Sequence, residues 1–194
     1  MIRTACALTI LALTAAPVTA QPRYSVSVIG GAPPIAPSGP VSQPLALNST
    51  GRVVGYSYVS SGGIRALDWQ SGALTNLSGL ALFSNTFANR VNINDHIAGS
   101  GQVLGPGGTL LETHALEWIG GMMAEVAGLG GSHAAALAIN DSDQIVGYAT
   151  LPGDAQVRAF IHQNGVTTAL NTFPGTTESY AYDISNSGFV VGSC

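Results

Sequence analysis

A motif that recurs at intervals of 44, 48 and 45 residues is the feature of this sequence that most constrains its fold. Each copy has an Asn or Ser after an apolar segment, a Gly or Asp three residues later, and a Val- or Ile-containing segment ending in Gly. Because Asn, Asp and Gly tolerate left-handed backbone and form close turns, each copy predicts two antiparallel strands joined by a tight turn. The anchors are Asn48, Asn92, Asn140 and Ser185, a turn glycine is Gly188, and the closing glycines are Gly55, Gly99, Gly147 and Gly192.

A second block lies between successive anchors and predicts two more strands in each copy. It alternates with a period of two and carries an aromatic residue or His near its end, which is typical of a strand. A glycine follows three residues later, where a hairpin turn uses a positive φ angle. The block occurs as Arg65-Ala66-Leu67-Asp68-Trp69, His114-Ala115-Leu116-Glu117-Trp118 and Arg158-Ala159-Phe160-Ile161-His162, with turn glycines at Gly72, Gly121 and Gly165.

Four short antiparallel strands in about 45 residues are typical of a propeller blade. We therefore expect an all-β repeat protein, a propeller-like array of about three and a half four-stranded units with about fifteen strands. The Ala-rich segment Met122 to Ile139 resembles a helix when read alone, but the repeat predicts strands there. Propellers normally have four or more blades, so an open β-repeat arc or a solenoid is the alternative.

The N-terminal residues predict export. Residues 1–20 have the pattern of a signal peptide, with Arg3 at the start, an apolar stretch, and Val18-Thr19-Ala20 as the cleavage site. A transmembrane anchor is the alternative, but the stretch is shorter than the roughly 20 residues that span a bilayer. We expect a secreted, periplasmic or cell-surface protein that has no stable membrane span after cleavage.

Residues 21–194 then form a single β-repeat domain, with a Pro-rich connector over residues 31–44. The segment Tyr24 to Gly31 resembles an isolated fourth strand. Pairing of this strand with the segment Tyr180 to Gly192 would close the array. Cys6 lies in the signal peptide, which leaves Cys194 as the one thiol of the mature chain and excludes an internal disulfide.

The composition excludes several classes of protein. The 194-residue chain is 46% hydrophobic and only 8% charged, with six Arg, no Lys and 25 Gly. This content is too apolar for a disordered chain and too rich in Gly for a helical bundle. The formal charge of −4 and the absence of Lys argue against a nucleic-acid partner.

The two blocks together resemble the HAF repeat of bacterial extracellular repeat proteins, which is named for a His-Ala-Phe triplet. The best matches are His114-Ala115-Leu116-Glu117-Trp118, Arg158-Ala159-Phe160, Gly128-Leu129-Gly130-Gly131-Ser132 and Ala136-Leu137-Ala138-Ile139-Asn140. The resemblance covers nearly the whole mature chain. It implies a secreted bacterial β-repeat protein and carries no established activity, catalytic residue or cofactor with it.

The residues themselves predict no catalytic or metal site. His114 is a candidate base or ligand, but Arg65 and Arg158 occupy the equivalent positions, so we expect a structural hydrogen bond or ion pair there. His162 takes the place of Trp69 and Trp118, and we expect a half-buried ring.

No zinc spacing, nucleophile elbow or phosphate loop is present in the sequence. Asp141 and Asp143 beside Asn140 resemble a calcium loop, but the Gly and Glu of an EF-hand are missing. No cofactor is expected, and calcium is the one alternative.

The sequence therefore favours a secreted, non-enzymatic β-repeat protein that binds a protein or a glycan through variable loops or forms a surface or matrix component. The candidate contact segments are Ser57 to Gly63, Leu82 to Asn89, Gly105 to Glu112 and Thr150 to Gln156. One alternative is an extracellular polysaccharide hydrolase or lyase that uses clustered acids such as Asp68, Glu117 and Asp183. Another is a truncated, non-functional fragment whose unpaired strands associate edge to edge.

Overall fold

The computed structural model describes the backbone of residues 8–14, 23–29, 42–59, 62–77 and 81–194, and the side chains from residue 42 onward. These residues form sixteen β-strands and one short 3-10 turn, Pro106–Gly108, and no α-helix occurs among them. The strands are β1 (Leu8–Thr14), β2 (Arg23–Ile29), β3 (Ser42–Leu47), β4 (Val53–Tyr58), β5 (Ile64–Gln70), β6 (Ala73–Asn76), β7 (Asn85–Val91), β8 (Ile97–Leu104), β9 (Leu110–Ile119), β10 (Met122–Val126), β11 (Ala134–Ile139), β12 (Ile145–Thr150), β13 (Val157–Gln163), β14 (Val166–Ala169), β15 (Tyr180–Ile184) and β16 (Val190–Ser193).

The strands from β3 onward form three antiparallel meanders and one hairpin. The first meander is β3–β6, the second β7–β10 and the third β11–β14, and the last hairpin is β15–β16. A single parallel bridge between Ile64 and Asn85 joins the first two meanders into one eight-stranded sheet. The protein is thus all-β with several sheets, and the described strands form no closed barrel. The segment from Met122 to Ile139 contains strands β10 and β11, as expected.

The N-terminal strand pairs differently from expectation. All seven residues of β2 pair antiparallel with β1, which lies inside the predicted signal peptide. The last hairpin forms its own two-stranded sheet, so the pairing of the Tyr24 strand with residues 180–192 is not present. The predicted cleavage site and connector residues 31–41 lie outside the described residues, and Pro44 belongs to β3.

Left-handed residues form the tight turns, in agreement with the sequence. The turns between the first two strands of each group have positive φ at Gly51, Asp95, Asp143 and Gly188. The outer hairpin turns have two consecutive residues with positive φ, as type I′ turns require. These pairs are Ser71 and Gly72, Gly120 and Gly121, and Asn164 and Gly165.

The closing glycines allow a close approach between the first and second strands of each group. A Cβ at Gly147 would lie 1.9 Å from the carbonyl oxygen of Ala135, and one at Gly99 would lie 2.0 Å from that of Phe87. A Cβ at Gly55 would meet the carbonyl oxygen of Gln43 in the same way, and one at Gly192 would meet that of Tyr180. The pairing register shifts immediately after each contact, so each glycine faces a bulge in the first strand.

Among the described side chains, the buried apolar residues form three clusters, each between two successive groups of strands. We call the face that a group turns toward the following group its leading face, and the opposite face its trailing face. The leading faces carry small residues, Val54 and Ala66, Ala98 and Ala115, and Val146 and Ala159. The trailing faces carry Val91, Ile97, Leu116 and Trp118, then Ile139, Ile145 and Phe160, then Ile184. At these positions, small side chains of one group pack against larger side chains of the next, and each cluster also contains residues outside this pattern, such as Leu77, Ala136 and Ala181.

Candidate functional site

The anchor residues form a chain of hydrogen bonds between successive groups, which we call the asparagine ladder. Asn48 Nδ2 donates to the carbonyl of Asn92 at 2.9 Å, and Asn92 Nδ2 donates to the carbonyl of Asn140 at 2.9 Å. Asn140 Nδ2 donates to the carbonyl of Ser185 at 3.0 Å. All three asparagines are buried. The anchor of each group therefore binds the turn of the next group.

Each ladder asparagine also stabilises its own turn. Asn92 Oδ1 accepts hydrogen bonds from the amides of Asn94 and His96 at 3.0 and 2.9 Å. Asn48 and Asn140 do the same with the amides two and four residues later. Both ends of each carboxamide are therefore used in hydrogen bonds within the protein. Their periodic spacing in the sequence indicated the turn but not the bond to the next group.

The acidic side chains near the ladder are also bonded to the protein. Asp143 Oδ1 accepts from Asn92 Nδ2 at 2.6 Å and lies 2.8 Å from His96 Nδ1. Asp141 accepts from the amide of Ile93 and from Asn186 Nδ2. Both carboxylates of the calcium alternative, Asp141 and Asp143, are thus hydrogen-bonded to neighbouring turns. Among the described residues, no group of three or more His, Cys, Asp or Glu side chains could hold a metal ion.

The first position of the second block, which lies within the third strand of each meander, holds Arg65, His114 and Arg158, and its role differs between groups. Arg65 Nη1 donates to the carbonyl of Ser84, and Arg158 Nη1 to that of Thr177 at 2.8 Å, so each Arg binds the segment that leads into the next group. His114 instead lies between two carboxylates on its own meander. Its Nδ1 is 2.6 Å from Glu125 Oε1 and its Nε2 is 2.9 Å from Glu112 Oε2. The expected structural hydrogen bonds are thus present, and they become an ion pair when the ring is protonated.

The ring of His114 favours the charged form. Burial opposes the charge, but hydrogen bonds to Glu125 and Glu112 outweigh burial and raise the pKa of His114 above its usual 6.5. Both ring nitrogens face a carboxylate, and only the protonated ring can donate from both. This site can respond to pH through protonation of one histidine.

The aromatic position of the third strand is buried to a different extent in each group. Trp118 is buried in the core between the first two meanders, and Trp69 is half-buried. His162 is half-buried, and its Nδ1 lies 2.7 Å from Thr167 Oγ1. The expectation of a half-buried His162 ring is confirmed.

The structure does not bring Asp68, Glu117 and Asp183 together. By strand register, each lies on the leading face of its own group, so a whole sheet separates one from the next. Asp68 is also buried and forms two hydrogen bonds with Arg52, Nε to Oδ1 and Nη2 to Oδ2, both at 2.8 Å. Asp183 is exposed and accepts from the amide of Ile184. No shared acidic site arises from these three residues.

The connections between the second and third strands form a separate surface, which we call the loop rim. It consists of residues 59–63, 105–111 and 151–156, where 105–111 includes the first two residues of β9, and residues 60–61 lie outside the described residues. These connections follow the second strand of each meander, whereas the ladder turns precede it. The loop rim and the ladder therefore lie at opposite ends of the strands.

Only part of the predicted contact surface belongs to the loop rim. Most of the segment Leu82 to Asn89 is strand β7, with Phe83 and Thr86 buried, and Ser57 and Thr150 are buried as well. The segment from Gly105 to Glu112 is largely exposed. It includes the tip of the β8–β9 hairpin, where Leu110 and Leu111 face solvent.

One rim loop is held by a side chain that the sequence did not single out. Asp154, with a φ angle of 58°, accepts hydrogen bonds from the amide and hydroxyl of Ser132 at 2.8 and 2.6 Å and from the hydroxyl of Thr150. The hydrogen bonds from Ser132 and then Thr150 lower the pKa of Asp154 to about 2. In the sequence, the Pro-Gly-Asp turn at residues 152–154 is the feature that could have indicated this loop. This loop is therefore a fixed part of the rim.

Comparison with known proteins leaves the family open. The chain matches no family model, and no curated protein matches it significantly. No helix among the described residues is long and apolar enough to cross a membrane.

Proposed function

We propose that this chain is a secreted, non-enzymatic β-repeat protein of the HAF-repeat type that binds a protein or a glycan through its loop rim. In this proposal the strand groups are blades of a propeller-like array. The observation that supports it is that the two ends of the strands differ in their contacts. At one end the periodic polar residues bond to one another, and at the other end equivalent loops differ in sequence and face solvent.

The ladder end is less suited to a ligand. Asn92 uses its carbonyl oxygen and its amide nitrogen within the protein, and Asp143 accepts from that same amide. A ligand would have to replace bonds that connect one group to the next. Since buried polar groups left without partners cost about 1–3 kcal/mol each, such replacement is unfavourable.

The loop rim has the chemistry of a contact surface. The tip of the β8–β9 hairpin exposes Leu110 and Leu111, and the nearby segment before β7 exposes Leu82. Loops on a rigid scaffold that carry exposed apolar residues are typical binding surfaces. The Arg side chains at this end, Arg65 and Arg158, donate to backbone carbonyls, which favours a protein or glycan over a polyanion.

Substitution of the hairpin tip tests this proposal. The purified chain would be screened against immobilised glycans and extracellular proteins, and every ligand found would be retested with Leu110→Ser/Leu111→Ser. We expect this variant to lose binding, since it removes the exposed apolar tip. Met122→Ser is the matched control, because Met122 is also exposed but lies at the ladder end. Equal binding by both variants, or turnover of a glycan or peptide, would contradict the proposal.

Export is tested separately. When the chain is expressed with a bacterial secretion pathway, we expect the exported product to begin at Gln21, as determined by intact-mass analysis. This cleavage would remove β1 and leave β2 without the pairing partner described above. A product that retains residues 1–20 would contradict the predicted signal peptide.

A further inference from the structure

The last hairpin has an uncovered leading face. Val191 corresponds in register to Val54, Ala98 and Val146, which are 1%, 0% and 0% exposed beneath the following group. Val191 itself is 62% exposed. The side chain that packs against the next group everywhere else therefore faces solvent here.

The first meander has a partly uncovered trailing face. Leu47 corresponds to Val91, Ile139 and Ile184, which are 7–9% exposed against the preceding group, whereas Leu47 is 54% exposed. Val53 and Leu67 on the same face are buried. The open part of this face is therefore the area around Leu47 and the half-buried Trp69.

We propose that these two faces bind each other in different copies of the chain, so that the protein associates head to tail. The leading face of the last hairpin of one copy packs on the trailing face of the first meander of a second copy. The same pairing of a leading face with a trailing face occurs three times within the chain, at its three core clusters. The contact in trans uses the same kind of interface on the open part of the trailing face, around Leu47 and Trp69, because Val53 and Leu67 are already buried within the chain. This inference does not rest on the proposed ligand binding.

Two features make this contact weaker than the contacts within the chain. Ser185 has no carboxamide, so it cannot donate to the next group as Asn48, Asn92 and Asn140 do. Asp183 pairs with Val191 in register and adds a carboxylate to the same face. We therefore expect reversible, concentration-dependent association. Because the two faces differ, the contact is heterologous and produces rings or open chains of copies.

Two single substitutions and their mixture test this arrangement by sedimentation velocity. The wild-type chain should grow in mass with concentration, and both Val191→Glu and Leu47→Glu should be monomers, since each places a charge on one of the two faces. When the two variants are mixed, they should form a one-to-one dimer, because each retains the face that the other lacks. Val166→Glu is the matched control: Val166 is 63% exposed on β14, and this variant should associate like wild type.

The outcomes separate this contact from other forms of association. A wild-type chain that stays monomeric at all concentrations overturns the proposal. If Leu47→Glu still forms dimers and the mixture shows no rescue, the copies pair through the β16 edge with two-fold symmetry, and the proposal is also overturned. Far-UV circular dichroism establishes that each variant is folded.

A gain of affinity provides an independent measurement. Ser185→Asn supplies the missing carboxamide, whose Nδ2 would donate to the carbonyl of Asn48 in the next copy, while its Oδ1 replaces the hydroxyl that accepts from Phe189. One added hydrogen bond should tighten association by about twofold to tenfold. An unchanged dissociation constant would contradict the proposed register of the two faces.

Discussion

Asn92 Nδ2 donates to the carbonyl oxygen of Asn140, 48 residues further along the chain, at 2.9 Å. The same side chain accepts from the amides of its own turn through Oδ1. One residue type thus forms the turn within a group and the bond to the next group. This double role explains why Asn recurs at this position, where turn geometry alone would also allow Asp or Ser.

Removing the ladder carboxamide should destabilise the protein strongly. Asn92→Ala leaves the amides of Asn94 and His96 and the carbonyl of Asn140 without this buried partner. We expect a loss of about 2–4 kcal/mol in the free energy of unfolding, measured by urea denaturation. Asn76→Ala, in the exposed strand β6, is the control and should change it by less than about 0.5 kcal/mol.

Asn92→Asp separates the two roles of the carboxamide. The carboxylate can still accept from the turn amides, but it replaces a donor that lies 2.6 Å from Asp143 Oδ1 with a second negative charge. Since like charges at this distance oppose ionisation, the destabilisation should be large at pH 7 and smaller near pH 4. The same loss at both pH values would argue against the ladder contact.

The closing glycines should resist substitution by alanine. A Cβ at position 147 would lie 1.9 Å from the backbone oxygen of Ala135, and backbone cannot move aside as a flexible side chain can. We expect Gly147→Ala to cost about 4 kcal/mol or more, at the upper end of the range for single substitutions. Gly121→Ala is the comparison, because its Cβ meets nothing within 4 Å and the cost is the left-handed backbone, about 1–2 kcal/mol. Equal losses in thermal denaturation would contradict this explanation.

The sequence was sufficient to predict most of the strands from β3 onward, because the period of the motif is also the period of the contacts. Residue type alone indicates the left-handed turn positions, such as Asp95 and Asp143, and the close approach of two strands at Gly99. The pairing of β2 with β1 could not be predicted this way. Any two segments of alternating residues can pair, and the choice of partner depends on which other strands are available.

The contact surface was predicted less well for a related reason. The segment Leu82 to Asn89 differs in sequence between copies, and such variation predicts a loop. Phe83 and Thr86 in this segment are buried, because a strand tolerates varied side chains provided that they fit its neighbours. Sequence variation between copies therefore predicts more exposed loop residues than the structure contains. It locates the connections before β9 and β13 correctly.

The ion pair between Arg52 and Asp68 should be a strong local determinant of stability. Both side chains are buried and share two hydrogen bonds at 2.8 Å, and the bond to Asp68 raises the pKa of Arg52 despite burial. Arg52→Met leaves the buried Asp68 carboxylate without its charged partner and should cost about 3–5 kcal/mol. Asp68→Leu should cost less, because Arg52 still donates to the carbonyl of Asp95 and lies 3.7 Å from Asp95 Oδ1. The double variant should recover much of this loss, as shown by a double-mutant cycle in urea. Additive losses would contradict the pairing.

Protonation of His114 should make stability depend on pH in a defined window. The folded protein raises the pKa of this ring above its usual 6.5, because the hydrogen bonds to Glu125 and Glu112 outweigh burial. The stabilisation is therefore fully present below about pH 6.5 and is lost as the pH rises through the raised pKa of the folded state. His114→Arg retains a positive charge, as Arg65 and Arg158 do at the equivalent positions, and should abolish the pH dependence in this window. Urea midpoints measured from pH 5.5 to 9 compare the two proteins, and parallel profiles would show that His114 is not the titrating group.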